Sequence, residues 1–207
     1  MSRRRIVLAF VCSSSFLFAA CGGSQPSAEA PPAVEATPST AAPADSSAPA
    51  SDAAAPAAAA PKTVEVAVQS RSSSKVTGKA TLTETADGVK IVLALEGLTP
   101  GDHGAHVHEK GDCSAPDATS AGGHFNPAGH PHALPAGSPP RHLGDLGNVT
   151  AGKDGKATLE VVATGANLKD SDPNSFLGRS IIVHEKKDDG GQPTGNAGGR
   201  VACAEIK

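Results

Sequence analysis

Between residues 62 and 70 apolar and polar positions alternate, with Val64, Val66 and Val68 set against polar neighbours. A period of two places those valines on one face of a β-strand. The stretch KATLTETADGVKIVLALEG, residues 79–97, reads as a strand, an Asp-Gly turn and a second strand, the pattern of a β-hairpin. Residues 156–165, 179–186 and 200–206 are three more short segments rich in β-branched side chains. No segment outside a low-complexity region sustains a helical period, so the pattern predicts an all-β sandwich or barrel. Residues 109–148 differ, with little strand character and four histidines. A loop of about forty residues in a compact domain is usually functional, and a metal or a disulfide can hold it where it has no core of its own.

The start of the chain is of another kind. Arg3, Arg4 and Arg5 precede an apolar run from Ile6 to Ala20, interrupted by Ser13, Ser14 and Ser15, and the whole reads as a signal peptide too short to span a membrane. It ends FAAC, residues 18–21, which resembles a bacterial lipobox with Phe18 where leucine is usual. That resemblance makes Cys21 the acylated first residue of a membrane-anchored lipoprotein, with an ordinary signal-peptidase site as the alternative. Gly22 after Cys21 favours the outer membrane by analogy without settling the leaflet. Residues 22–61 are almost entirely Ala, Pro and Ser, charged only at Glu29, Glu35, Asp45 and Asp52, and read as a disordered tether.

Residues 62–207 are then one domain holding all eight histidines. Of 18 Lys and Arg, three leave with the signal peptide, and of 21 Asp and Glu, four lie in the tether, so the domain has 15 against 17, a net of −2. That balance argues against a nucleic-acid partner and for small-molecule chemistry. With Cys12 in the signal peptide and Cys21 lipidated, only Cys113 and Cys203 remain, and in an exported domain two cysteines suggest one disulfide.

In GAHVHEKGDC, residues 104–113, His106 and His108 share one face of a strand, about 6.6 Å apart, so both rings can reach one ion. GGHFNPAGHPH and RHLGDLG supply His124, His132, His142 and Asp145, a three-imidazole, one-carboxylate set suited to zinc. His184 in IIVHEK adds an imidazole that, with His106, His108 and His124, would suit copper.

Taken together, HVHEKGD, SAGGHFNP, RHLGDLGNV, IVHEKKDD and PTGNAGGRVAC resemble the copper/zinc superoxide dismutase family, bacterial exported type, over about residues 95–207. The resemblance implies an eight-stranded Greek-key β-barrel with long metal-binding loops, one copper and one zinc per subunit, and superoxide as substrate. His106, His108 and His184 would hold copper alone, while His124 would bridge both metals as an imidazolate. His132, His142 and Asp145 would complete zinc. His130 competes with His132, which is preferred because it lies eight residues after His124, a spacing the family uses. His103 is assigned a structural hydrogen-bonding role. Cys113 and Cys203 match the family's intrachain disulfide, Asp188 the carboxylate behind a copper and a zinc histidine, Arg200 the anion-orienting cation and Thr194 a wall of the substrate channel.

The implied reaction is two-step: one superoxide reduces copper and leaves as dioxygen, and a second reoxidises it and leaves as hydrogen peroxide with two protons. His124 takes and returns a proton. The segment EKKDDGGQP is shorter than the charged loop of eukaryotic members, so their steering charges do not carry over; Lys186 and Lys187 are candidate substitutes. The implied setting is antioxidant defence in the periplasm or cell envelope. Monomer and homodimer both stay open. A metal store without turnover would need no Arg200, and a zinc hydrolase would need a Glu base of the H-E-x-x-H kind, which is missing.

Overall fold

The computed structural model describes residues 60–135 and 140–207. The expected signal peptide and Cys21 lie outside the described residues, as does the tether apart from residues 60 and 61. Eight strands follow: β1 Thr63–Ser70, β2 Thr77–Glu84, β3 Gly88–Glu96, β4 Gly101–His108, β5 Asp145–Ala151, β6 Ala157–Thr164, β7 Ser180–His184 and β8 Arg200–Glu205. Each pairs antiparallel with its neighbours in the order β1-β2-β3-β6-β5-β4-β7-β8, and the barrel closes where Gln69 and Ser70 of β1 meet Cys203 and Ala202 of β8. The jumps from β3 to β6 and from β4 to β7 are the crossovers of a Greek key. The eight-stranded barrel expected above is thus the observed fold.

The interior is aliphatic. Val89, Ile91, Leu93 and Leu95 alternate inward along β3 and meet Ala80 and Leu82 of β2, all at most 4 % exposed. Covering such side chains is the main driving force for closing the wall, on the order of 1.5–3 kcal/mol for each fully buried one. β4 and β7 depart from simple in-out alternation because both of their faces are covered. Ala105 and Val107 of β4 and Ile181 and Val183 of β7 point into the core, while His106, His108, Ile182 and His184 face outward and are still buried. Loops lie over that outer face.

Two bulges set what stands beside those histidines. On the β4/β5 ladder Ala105 pairs with Gly147 but His106 pairs with Asp145, leaving Leu146 as the extra residue. On the β7/β8 ladder Val183 pairs with Ala202 but His184 pairs with Arg200, leaving Val201 extra. A bulge re-aims side chains by one position, so each bulge puts a functional group opposite a histidine. β5 is a strand the alternation did not predict: DLGNVTA is rich in residues that disfavour strands, and it forms because β4 offers a ladder on one side and β6 on the other. Otherwise the described residues of 109–144 hold one 3₁₀ turn, Thr119–Ala121, and one end of an isolated bridge between His108 and His124.

Candidate metal centre

His106, His108, His124 and His184 converge so that one ring nitrogen from each lies within 4.8 Å of the others. Hydrogen bonds at the opposite ring nitrogens fix three of these rings. His108 Nδ1 donates to the Gly122 carbonyl at 3.0 Å, His184 Nδ1 to the Gly198 carbonyl at 3.1 Å, and His106 Nε2 to Asp188 Oδ2 at 2.8 Å. That leaves His108 Nε2, His184 Nε2 and His106 Nδ1, together with His124 Nε2, buried without a hydrogen-bond partner among the described residues. Buried polar atoms left unpaired are rare and costly. Four aimed at one point form a donor set that fits a metal ion. Burial pulls His108 down to about 2 and His184 to about 3 and lowers His106 as well, so at neutral pH these rings are uncharged, as ligands must be.

The other edge of His124 faces a second cluster. Its Nδ1 lies 3.1 Å from Asp145 Oδ1 and 3.3 Å from His142 Nδ1, and the same carboxylate oxygen is 2.9 Å from His132 Nδ1 and 3.3 Å from His142 Nδ1. Ligands about 2.0–2.1 Å from a tetrahedral zinc stand about 3.3 Å from one another, so these separations fit that ion. On this side the set whose ligand atoms all lie within 4.8 Å of one another is His106, His124, His132 and Asp145, with His106 rather than His142. His106 Nε2, however, is already committed to Asp188, whereas His142 Nδ1 faces Asp145 and His124 directly. His142 is therefore the better fourth donor. His132, 2 % exposed, sits in the cluster, while His130 is solvent-exposed with its backbone tied to Asn126.

Asp188 lies behind both clusters, fully buried, with Oδ2 on His106 Nε2 and Oδ1 on His132 Nε2 at 3.0 Å. Burial would raise its pKa, but hydrogen bonds from His106, His132 and the Gly190 N–H outweigh that and hold it well below the usual carboxylate range. Burial likewise lowers His132, yet Asp188 and Asp145 outweigh it and its pKa ends above the ordinary value. Three supports escaped sequence reasoning. Asn148 of β5 clamps the Asp188 backbone through two hydrogen bonds of 2.8 and 2.9 Å. Gln192 accepts from the His132 N–H and donates to its carbonyl. Gly195, at φ 77°, passes so close to Asp188 and His132 that a Cβ would strike both. Asn148 and Gly195 fall inside the motifs RHLGDLGNV and PTGNAGGRVAC, their one sequence signal, while Gln192 lies just before the second and carried none. We expect Asp188→Ala to weaken metal retention about 10–100-fold, the usual effect of losing an outer carboxylate, measurable by chelator competition; unchanged retention would show that Asp188 orients nothing.

Arg200 reaches over the first cluster from β8. Its Nη1 donates to the Ala118 carbonyl and its Nη2 to the Gly122 carbonyl, both at 2.7 Å. Gly122 O thus accepts from both Arg200 and His108. Thr194 is exposed in the turn before Gly195, and its hydroxyl makes no hydrogen bond among the described residues. Lys187 pairs with Asp102 at 3.4 Å and Lys186 is exposed. His103 donates from Nδ1 to the His184 carbonyl at 2.9 Å and sits 2.8 Å from the Thr99 carbonyl at Nε2, inside neither metal cluster. Cys113 and Cys203 form a disulfide across 90 residues. It is buried with Ala118, Ala121 and Ile182 directly beneath the loop that carries the Arg200 acceptors.

A closed antiparallel barrel whose outer wall carries two donor clusters sharing one imidazole defines a class: β-barrel proteins with a candidate two-ion centre. The sequence model described as copper/zinc superoxide dismutase (SODC) matches residues 76–206, and the chain belongs to that family. Among solved structures, a SOD-like protein from Bacillus subtilis is 34% identical over 69% of this chain and 97% of that one, with a TM-score of 0.61. A double mutant of a SOD-like protein from the same organism is 37% identical over 69% and 95%, also at 0.61. The clock protein EA4 is 38% identical over 71% and 96%, at 0.62.

Proposed function

We propose that the protein is a copper/zinc superoxide dismutase of the cell envelope, converting two superoxide ions and two protons to dioxygen and hydrogen peroxide. The single observation that carries this reading is the convergence of four unpartnered nitrogens, from His106, His108, His124 and His184, beside an arginine that is fixed in place. In this reading those four hold copper, and His124, His132, His142 and Asp145 hold zinc. Copper bound there would alternate between two oxidation states, accepting an electron from one superoxide and passing it to the next.

The rest of the work falls to the chain. Arg200, with one N–H of each terminal nitrogen given to a carbonyl, keeps its remaining N–H groups for an anion, and a guanidinium matches a small oxyanion in charge and hydrogen-bonding geometry. Thr194 would narrow the approach. Asp188 prevents His106 and His132 from rotating. His124 Nε2 is the buried atom placed to hold a proton and give it up to the product. In the proposed organisation residues 1–21 export the chain, Cys21 carries lipid, and residues 22–61 tether the domain to the envelope membrane.

Elemental analysis of the purified protein, paired with superoxide consumption measured with and without chelator, tests the assignment. One copper and one zinc per chain with chelator-sensitive turnover is expected. Arg200→Ala should lower the rate about tenfold or more while leaving copper content unchanged, since the lost group orients substrate rather than metal. Metal bound without turnover, and no change on Arg200→Ala, would identify a metal store instead.

A further inference from the structure

Away from the copper face, a cleft of about 600 Å³ opens beside the second cluster. Its polar lining includes His130, Arg141, Thr164 and Asn174, its apolar lining includes Pro140 and Leu143, and His142 forms part of its wall. No carboxylate lines it among the described residues. Arg141 is half-buried, and its Nε is sealed from solvent with no hydrogen-bond partner among the described residues. A buried guanidinium nitrogen without an acceptor is a deficit that folding normally avoids. His130 is equally unused: it is exposed, and the metal clusters do not include it.

We propose that this cleft binds a small organic anion, its carboxylate on Arg141 and its apolar body against Pro140 and Leu143. Three features favour that occupant over a cation or a neutral ligand. Among the described residues of the lining the one permanently charged side chain is an arginine, so the walls themselves contribute positive charge. Arginine presents a planar fork that takes a carboxylate through paired hydrogen bonds, and Asn174 in the lining adds a neutral polar group. The volume falls within the range of small-molecule sites, far more than a lone inorganic ion fills. A zinc ion behind His142 would strengthen the attraction; that addition alone rests on the function proposed above, and the cleft itself does not.

Benzoate titrated into the full-length protein, in metal-loaded and metal-free forms and followed by amide chemical shifts, tests this. Saturable shifts at Leu143, Gly165 and Asn174 are expected, with benzamide and inorganic phosphate each at least tenfold weaker because one lacks the charge and the other the apolar body. Arg141→Gln should weaken benzoate at least tenfold. Thr164→Phe, at the exposed end of β6 and outside the segments that carry the proposed metal ligands, should fill the cleft and abolish binding. No saturable shift, equal binding of benzamide or phosphate, or wild-type affinity in both variants would each overturn the proposal. Shifts confined to Ala118, Gly122 and Arg200 would do so too, while leaving the Arg200 reading intact. Binding to the metal-free form alone would remove only the contribution assigned to zinc.

Discussion

His124→Ala should abolish superoxide consumption, lowering it by about a hundredfold or more, while the far-ultraviolet spectrum of the barrel stays unchanged. Two losses combine in that one ring. Nε2 leaves the set made with His106, His108 and His184, and Nδ1 leaves the set made with Asp145 and His142. Removing a positioned proton carrier alone is worth about 10²–10⁴ in rate, and copper would also lose a donor. The barrel survives because His124 lies on the outer wall: its backbone bridges to His108, but its side chain takes no part in the aliphatic core. Copper and zinc content, the cupric spectrum and the rate should be measured on the same preparation. A variant that keeps both metals and more than a tenth of the rate would end the idea of a shared ring.

Cys113→Ser, or Cys203→Ser, should have the largest effect on stability. The bridge closes a loop of 90 residues, for which chain entropy alone gives about 4–5 kcal/mol, and measured values usually run about 2–4. For a domain of this size that corresponds to a fall in melting temperature on the order of 10 °C. The effect should also reach the chemistry. Ala118, packed against the disulfide, and nearby Gly122 carry the two carbonyls that hold Arg200, and Gly122 also fixes the His108 tautomer. Calorimetry with and without reductant, alongside activity at a temperature where the variant is still folded, separates the two effects. A melting point within a degree or two of wild type would show that the strand ladders and the 3₁₀ turn suffice to pin the loop.

The parts legible in the sequence were those with a short-range signature. Alternation gave β1, β2 and β3 within a residue or two, and β-branched runs gave β6, β7 and β8. β5 stayed hidden because DLGNVTA has no strand preference of its own and is held by its neighbours and by a bulge at Leu146. Closure into a barrel was not visible in periodicity at all and came only from the family resemblance, since which strands meet is decided by contacts distant in sequence. The histidines could be grouped from spacing and motif, but their tautomers could not. Those of His108 and His184 depend on the Gly122 and Gly198 carbonyls, which no motif marks as hydrogen-bond partners, whereas the Asp188 partner of His106 was implied by the family resemblance. The preference for His132 over His130 rested in the sequence on one spacing, eight residues after His124, and burial adds the physical difference that spacing lacks: His132 is folded under Gln192 while His130 is exposed.

On β4 and β7 the aliphatic interior and the donor histidines occupy alternate positions of the same strands, on opposite sides of one wall. Mutation can therefore act on the two independently. A lineage could exchange the outward residues one at a time and keep an intact, well-packed container, so shape and catalysis are separately heritable in this architecture. Ancestry alone does not establish turnover for any member; the outward-facing row of residues has to be read in each descendant.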